Sequence, residues 1–282
     1  MKKILLLFLC FLTCCLATPY DYHERIGVPR ATELRDAEMK TWVSRIIGGN
    51  QVENMIPHQV GIIVMLTTGW TSICGGALVS NIRVLTAAHC WYDGRSQARL
   101  FTLVFGSTTI FSGGTRVPTS NVVVHPSWNT VDVTHDLAMV HMPSVVFSNT
   151  IMPIPLPTME EVNDNFAGLD AIVSGYGKTS DAQNSFPITT SLYHTTVRII
   201  TNADCQSSFN NYNLHVGHLC TSGQGAVGTC DGDSGGPLTV VRNSRRILVG
   251  IVSFGPGEGC EQGLPSVYTR VTAFLSWVQA NL

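Results

Sequence analysis

The chain has 282 residues, a formal net charge of −2 and 44% hydrophobic residues. A chain of this length and composition can bury a large core without a cofactor, and its near-neutral charge gives no basic surface for nucleic acid. Basic residues cluster only at positions 242–246, which we interpret as a solvated hairpin.

The first 17 residues have the pattern of a secretory signal peptide. Lys2 and Lys3 precede an unbroken apolar run, and small residues provide a cleavage site after Ala17. A membrane anchor is the alternative interpretation, but the apolar run is shorter than the ~20 residues that a spanning helix needs. We therefore expect a secreted, extracellular protein without a membrane partner.

Removal of residues 1–17 leaves an even number of cysteines. The full chain has nine, and Cys10, Cys14 and Cys15 lie in the signal segment, so six remain. An even number in a secreted chain predicts disulfide bonds. Spacing alone permits fifteen pairings of six cysteines.

Residues 18–45 are polar and charged, contain no cysteine and end in Arg45. We interpret them as an activation peptide that is cut between Arg45 and Ile46 and that no disulfide tethers afterwards. The alternative is that residues 46–49, Ile-Ile-Gly-Gly, form an ordinary strand start followed by a turn.

From Ile46 onward, short runs rich in Val, Ile and Thr alternate with Gly, Asn, Ser and Pro. Such spacing favours antiparallel sheets closed into barrels. Expected strands lie at 60–66, 74–79, 83–87, 100–105, 122–124, 171–174, 194–200 and 247–253. The single convincing helix is C-terminal, with a buried face at helical spacing made of Val271, Phe274, Leu275 and Val278.

Three short motifs carry the residue types of nucleophilic catalysis. Residues 229–237, Thr-Cys-Asp-Gly-Asp-Ser-Gly-Gly-Pro, place Ser234 between an aspartate and paired glycines. With no Cβ at Gly232, its N–H and that of Ser234 can point at one spot, as an oxyanion hole requires. The serine also needs a base and a group that orients it. His89 in Thr-Ala-Ala-His-Cys and Asp136 in His-Asp-Leu-Ala supply them, in the chain order of the chymotrypsin arrangement.

Together with Arg-Ile-Ile-Gly-Gly at 45–49, these motifs resemble the trypsin/chymotrypsin family of secreted serine peptidases. Its low lysine content makes the chain similar to the caterpillar-type digestive chymotrypsin-like enzymes of insects. The resemblance runs from Ile46 to Leu282. It implies an all-β fold of two six-stranded antiparallel Greek-key barrels, about 46–156 and 157–282, with a C-terminal helix. The prolines at 152–157 would lie in the crossover between the halves.

The resemblance also implies the chemistry of the site. Ser234 would be the nucleophile, His89 the base and Asp136 the residue that orients the imidazole. Asp132 is the rival for the acidic role, but it lacks the following Leu-Ala. After cleavage, the new Ile46 amine would pair with Asp233 and so form the oxyanion hole and pocket.

Three disulfides follow from the resemblance and not from spacing: Cys74–Cys90, Cys205–Cys220 and Cys230–Cys260. It also implies that Ser253 hydrogen-bonds the catalytic aspartate, the alternative being an ordinary strand serine. His135, although next to Asp136, is interpreted as structural.

The primary specificity pocket is expected to be wide and uncharged. The resemblance places Gly228 at its floor, where trypsin-like members have aspartate, and Ser253, Gly255 and Ser266 along its lining. Such a pocket favours large apolar or aromatic side chains, ahead of elastase-like and trypsin-like preferences. A broad, collagenolytic specificity stays open, because some arthropod members with glycine at the floor draw a pocket acid from elsewhere. Here that position is Ser266, and the nearby Glu258 and Glu261 are expected on the solvated loop around Cys260.

We expect no cofactor and no metal site, since the segment from Gly106 to Val131, where a calcium loop would lie, contains no Asp or Glu. Expected partners are protein or peptide substrates, an activating trypsin-like protease and protein inhibitors, and family analogy implies a monomer. The alternative from another class is a non-catalytic homologue that acts as a binding module.

After Ile46 the only lysine is Lys178, against nine arginines. Arginine keeps its charge far above the lysine pKa of ~10.4. This composition favours an alkaline gut lumen as the setting, with compositional drift as the alternative.

Overall fold

The computed structural model describes residues 20–44, 55–181, 191–209, 212–255, 257 and 259–282, and for residues 40–44 only the backbone. The expected signal peptide, the Arg45–Ile46 bond and Glu258 lie outside the described residues. Within them, antiparallel β-structure dominates and forms two sheets.

The first sheet has seven antiparallel strands in the order β5-β4-β1-β2-β3-β7-β6. Its strands are β1 (Gln59–Leu66), β2 (Thr71–Ser80), β3 (Arg83–Thr86), β4 (Ala98–Phe105), β5 (Thr115–Thr119), β6 (Val122–Val124) and β7 (Ala138–His141). The sheet curls around a buried core that includes Ile62, Leu78, Leu85 and Leu103.

The second sheet is a closed six-stranded barrel in the order β10-β13-β12-β11-β8-β9. Its strands are β8 (Asp170–Gly175), β9 (Tyr193–Ile200), β10 (His218–Thr221), β11 (Pro237–Arg242), β12 (Arg245–Phe254) and β13 (Ser266–Arg270). Pairing of Cys220 with Ile200 closes the circle between β10 and β9.

The predicted fold class is confirmed, with one correction to the strand count. The second barrel has six strands as expected, whereas the first sheet has seven, and its edge strands β5 and β6 do not pair within the described residues. Strands β5, β7, β10, β11 and β13 were not among the runs named as examples from the sequence. In β5, Arg116 and Pro118 interrupt the apolar pattern. Proline lacks the N–H that a central strand needs, and it is typical of an edge strand such as β5.

The C-terminal helix is confirmed as a 3₁₀ turn, Val271–Phe274, that continues into helix α3, Leu275–Ala280. The expectation of a single helix is wrong. Helix α2 spans Asn202–Gln206, and α1, the longest helix described, spans Val28–Ser44 and follows a π-helical turn at His23–Gly27.

Helix α1 was missed because its buried face mixes apolar and charged residues. Residues 30, 31, 34, 37 and 38 are buried, which is the spacing of one helix face. Two of the five are Arg30 and Glu38, so no continuous apolar stripe marks the helix in the sequence. No helix among the described residues is both long enough and apolar enough to cross a bilayer.

The two sheets meet along a seam that crosses the chemical motifs. A Cβ on Gly75 of β2 would come within 2.9 Å of the Gly236 backbone, so the two main chains approach as closely as glycine permits. Beside this contact, the Ser174 hydroxyl donates a 2.7 Å hydrogen bond to the Gln59 side chain. Residues from both halves therefore face one cleft.

Candidate active site

His89 is held in place by a short 3₁₀ helix, Ala88–Cys90, that directly follows β3. The Cys74–Cys90 disulfide, with a Cα–Cα distance of 6.2 Å, ties the last residue of this helix to β2. The His89 side chain is fully buried. The disulfide and the strand together leave little freedom for the imidazole.

Asp136 lies beside His89 and binds it through both carboxylate oxygens. One oxygen is 2.7 Å from His89 Nδ1, and the other accepts the His89 backbone N–H at 2.9 Å. The Ser253 hydroxyl donates to the same carboxylate at 2.6 Å. Burial acts to raise the pKa of Asp136, but the interaction with His89 and these hydrogen bonds outweigh it and lower the pKa overall. Asp136 therefore stays ionised next to His89.

Asp132 and His135 do not take part in this arrangement. Asp132 is exposed, and its carboxylate accepts a hydrogen bond from the Asn129 amide at 2.9 Å. The His135 ring stacks on His125, with 5.1 Å between the ring centroids. The structure thus places Asp136, and not Asp132, against His89.

A cluster of histidines behind Asp136 makes stability depend on pH. Burial lowers the pKa of His218 to about 4, and the charge of His215 acts in the same direction. The lowering of the His218 pKa is opposed by the contact of its ring with the Val133 carbonyl and by the charge of Asp136. The charge of His135 adds to the lowering.

A histidine whose folded pKa is depressed stays neutral in the fold while the unfolded chain takes up a proton. The fold therefore loses stability as pH falls from about 6.5 towards 4, by roughly 3 kcal/mol for His218. We expect the Tm to fall over this range, and to fall less steeply in His218→Gln than in the exposed-site control His194→Gln. Equal slopes in thermal melts of the two variants would contradict the assignment.

The loop that carries Ser234 is fixed by main-chain contacts to both sheets. The Ser234 carbonyl accepts the Gly75 N–H of β2 at 2.7 Å, and the Gly235 N–H donates to the Val252 carbonyl of β12 at 2.9 Å. Gly232 has a φ of 99°, which favours glycine. Among the described residues, neither the Gly232 N–H nor the Ser234 N–H has a hydrogen-bond acceptor.

The carboxylate of Asp233 points away from Ser234 into the second barrel. Its oxygens accept the Gly177 N–H at 2.7 Å and the Cys230 N–H at 3.0 Å. Burial raises the pKa of Asp233 to about 6, against these hydrogen bonds and the positive charge of Arg30. A carboxyl group with a raised folded pKa loses its stabilising contribution as pH rises through that value. At neutral pH the uncleaved chain therefore carries a costly buried carboxylate.

All three disulfides have the pairing that the resemblance implied. Besides Cys74–Cys90, they are Cys205–Cys220 and Cys230–Cys260. The last one joins the Ser234 loop to the segment after β12. In this way it braces the wall of the cleft beside Ser234.

A cleft of ≈ 550 Å³ lies next to Ser234 and is lined by three of the expected pocket residues, Ser253, Gly255 and Ser266. A Cβ on Gly255 would meet nothing within 4 Å, so the mouth is open. Gly228 instead lines a neighbouring cavity of ≈ 190 Å³. It stays close to the pocket, because a Cβ there would lie 3.0 Å from the Ser266 hydroxyl.

Two acidic residues of the peptidase part that were not predicted as pocket residues, Asp181 and Asp231, line the cleft, as does Asp21 of the segment before the cut. The Asp231 carboxylate lies 3.1 Å from the Lys178 ammonium, and Asp181 accepts the N–H groups of Cys260 and Glu261. Glu261, which had been considered, lines the smaller cavity and accepts the Asp181 N–H at 2.7 Å. The signal for Asp231 was available, since it lies three residues before Ser234.

Two groups of potential metal ligands occur in the described parts of the chain, and neither suits a metal. They are Cys74, His89 and Cys90, and Asp181, Cys230 and Cys260. All four cysteines are locked in disulfides, and a metal site needs the free thiolate.

A family model described as Trypsin matches residues 46–278. The chain belongs to the trypsin family. It is a serine endopeptidase, a hydrolase whose substrates are proteins or peptides, and the resemblance seen in the motifs is confirmed.

Relatives within the trypsin family cover most of the chain. Collagenase of Hypoderma lineatum is 32% identical over 238 residues, covering 84% of this chain and 87% of the collagenase. Brachyurin of Leptuca pugilator is 34% identical over 243 residues, covering 84% and 98%. Serine protease 1 of Drosophila melanogaster is 32% identical over 252 residues, covering 88% and 90%. The solved structure of HL collagenase superposes with a TM-score of 0.74 at 32% identity, covering 84% of this chain and 98% of the collagenase chain.

Proposed function

We propose that the chain is the secreted zymogen of a digestive, chymotrypsin-like endopeptidase that works through an acyl-enzyme. The observation that supports it most directly is the buried contact of His89 with Asp136, next to the Ser234 loop. An intact set of three such residues speaks against a non-catalytic homologue that only binds. The match to the Trypsin family model and the similarity to collagenase of Hypoderma lineatum support the peptidase class.

In the proposed mechanism, Ser234 Oγ attacks the scissile carbonyl while His89 Nε2 takes its proton and later returns it to the leaving amine. Nε2 is the free ring nitrogen, because Nδ1 contacts Asp136 and Nε2 has no hydrogen-bond partner among the described residues. Asp136 fixes the tautomer and stabilises the imidazolium. The N–H groups of Gly232 and Ser234 would bind the oxyanion.

Activation would follow a cut between Arg45 and Ile46, made by a trypsin-like protease. The freed Ile46 amine would pair with Asp233, whose buried carboxylate is costly without such a partner. An isolated α-amine has a pKa of ~8, so the pair must raise this pKa for the enzyme to work at alkaline pH. Stability from a raised amine pKa is lost as pH climbs through the raised value.

The pocket geometry favours large apolar or aromatic residues before the cut. The expected pocket residues Ser253, Gly255 and Ser266 add only hydroxyl groups or no side chain, and Phe254, which also lines the cleft, adds an aromatic surface. A broader, collagenolytic preference is the second candidate. It is supported by the similarity to a collagenase and by the presence of Asp181 and Asp231 in the cleft.

The apolar preference and the broader preference can be distinguished with a matched set of peptides. The peptides differ only in the residue before the cut, which is Phe, Tyr, Leu, Met, Ala or Arg. After activation, kcat/KM at Phe, Tyr or Leu should exceed that at Arg by at least about 100-fold. The reason is that Asp231 is engaged with Lys178 and Asp181 with backbone N–H groups, so a buried substrate guanidinium would stay unpaired.

Comparable turnover at Arg would overturn the apolar preference. Asp231→Asn and Asp181→Asn, assayed separately, would then show which acid reaches the substrate. Absence of turnover at every residue, with the cut at Arg45 verified, would favour the binding-module alternative.

We also propose an alkaline gut lumen as the setting, with protein protease inhibitors as partners and a monomeric enzyme. Lys178, the only lysine after the cut, is engaged with Asp231, so few sites remain for lysine-directed proteases. An activity profile that collapsed near pH 8 would count against this setting.

A further inference from the structure

Two tyrosines from the segment before the proposed cut cover the reactive residues. The Tyr22 ring is 1% exposed, and its centroid lies 4.7 Å from that of His89. The Tyr20 ring meets the same imidazole edge-on at 5.3 Å. Tyr22 also donates a 2.8 Å hydrogen bond to the Ile73 carbonyl of β2. Under this cover Ser234 is only 7% exposed, and both tyrosines also line the cleft of ≈ 550 Å³ beside it. The two rings therefore occupy the space directly over the imidazole, where a substrate has to approach.

The π-helical turn that follows is held by buried polar contacts. The His23 N–H donates to the Asp93 carboxylate at 2.8 Å, and His23 Nδ1 lies 2.8 Å from the Ser72 hydroxyl. Gly27 packs so closely that an added Cβ would overlap the Ser72 hydroxyl. The turn therefore fits this surface closely, and a side chain at position 27 would displace the Ser72 hydroxyl from its contact with His23.

Helix α1 then inserts a charged side chain into the second barrel. Arg30 is 1% exposed and donates to the carbonyls of Tyr176 at 3.1 Å and Gly177 at 2.9 Å. Its Cγ lies against Gly232, since a Cβ there would come within 2.9 Å of it. The Arg30 charge acts on Asp233, the same carboxylate that the Ile46 amine would pair with.

The far end of α1 is anchored to the loop after β4. The Glu38 carboxylate accepts the N–H groups of Ile110 and Phe111, each at 3.0 Å, and the Ser112 hydroxyl at 2.7 Å. Between Arg30 and Glu38, Ala31 and Leu34 pack into an apolar cluster with residues of the peptidase: Ile73, Ile110 and Tyr176.

We propose that residues 20–39 are an inhibitory ligand of the active-site cleft, and that they stay bound as a separate peptide after the cut at Arg45. The proposal rests on the function proposed above and adds a second block to it. The uncleaved chain would be inactive both because the Ile46 amine is not free and because Tyr20 and Tyr22 cover His89. Release of the segment would then be a separate step, in which the Ile46 amine replaces Arg30 beside Asp233.

The test uses the full chain with one selective cleavage site. Trp42→Ile, Val43→Glu and Ser44→Gly create Ile-Glu-Gly-Arg before Ile46, so a protease specific for that sequence spares Arg25 and Arg35, which are exposed. After cleavage, gel filtration with mass spectrometry shows whether the segment co-elutes with the enzyme. Hydrolysis of a Phe peptide is followed before and after dilution.

We expect the segment to co-elute, and activity to rise at least about tenfold as dilution releases it. Tyr22→Ala should speed release about 100-fold, because a buried aromatic ring is lost. Gly27→Ala should also speed release, because its Cβ would displace the Ser72 hydroxyl. Met39→Ala changes an exposed side chain and is the control. Arg30→Gln should also speed release, with the half-exposed Arg35→Gln as its matched control.

Immediate full activity with the segment in a separate peak would overturn the proposal. Equal release from Tyr22→Ala and Met39→Ala would do the same. A cleaved enzyme that stays inactive after the segment is gone would instead contradict the proposed function, and co-elution would still report on binding.

Discussion

Ser234→Ala is expected to lower kcat of the cleaved enzyme by about 10⁶-fold, because the binding groups that remain give only residual catalysis without the nucleophile. The substitution should leave the fold unchanged. Ser234 contacts Gly75 through its main-chain carbonyl, which alanine retains. The measurement is hydrolysis of a Phe peptide after the Ile46 terminus has been verified by sequencing, together with a thermal melt.

Ser127→Ala, at an exposed serine, is the matched control and should keep full activity. A loss of less than about tenfold in Ser234→Ala would mean that another group attacks the substrate. A parallel fall in Tm would mean that the loss reflects folding and not chemistry.

Asp136→Asn is expected to lower kcat by about 10⁴-fold at neutral pH. An asparagine amide can donate to His89 Nδ1, so the ring would carry its proton on Nε2 and could not accept one from Ser234. The KM should change little, because Asp136 is buried behind His89 and does not reach the cleft. Steady-state kinetics on the same Phe peptide separate the two parameters.

Asp132→Asn is the matched control, since Asp132 is the exposed neighbour that pairs with Asn129. It should retain normal kcat. Similar losses in the two variants would contradict the assignment of Asp136. The kcat of a Ser253→Ala variant should lie between those of Asp136→Asn and Asp132→Asn, because the substitution removes one hydrogen bond to the Asp136 carboxylate and leaves the carboxylate in place.

Much of the candidate site could be predicted because its residues lie in short sequence motifs. His89 and Ser234 each stand in a motif whose neighbours, a half-cystine and a set of glycines, have their own structural roles in positioning the side chain. Ser253 could also be anticipated, and its 2.6 Å contact with Asp136 has the geometry that the resemblance implied. The barrels followed from short β-rich runs separated by turn residues.

What escaped prediction depends on contacts between distant segments. Helix α1 has a buried face, but Arg30 and Glu38 lie on it, and their partners are main-chain groups some 70 to 150 residues away along the chain. No local pattern encodes such a contact. Asp181 was not anticipated in the cleft for a related reason: it reaches the cleft through the fold and not through proximity in sequence to Ser234.

The contacts of residues 20–39 allow the residues that line the cleft to vary during evolution. Tyr22, Arg30 and Glu38 are recognised largely by carbonyl and N–H groups of the peptidase backbone, and every sequence that adopts this fold presents those groups. Substitutions that reshape the lining of the cleft, for example at Ser266, therefore leave these contacts intact. New substrate preferences can arise by single substitutions without a compensating change in residues 20–39.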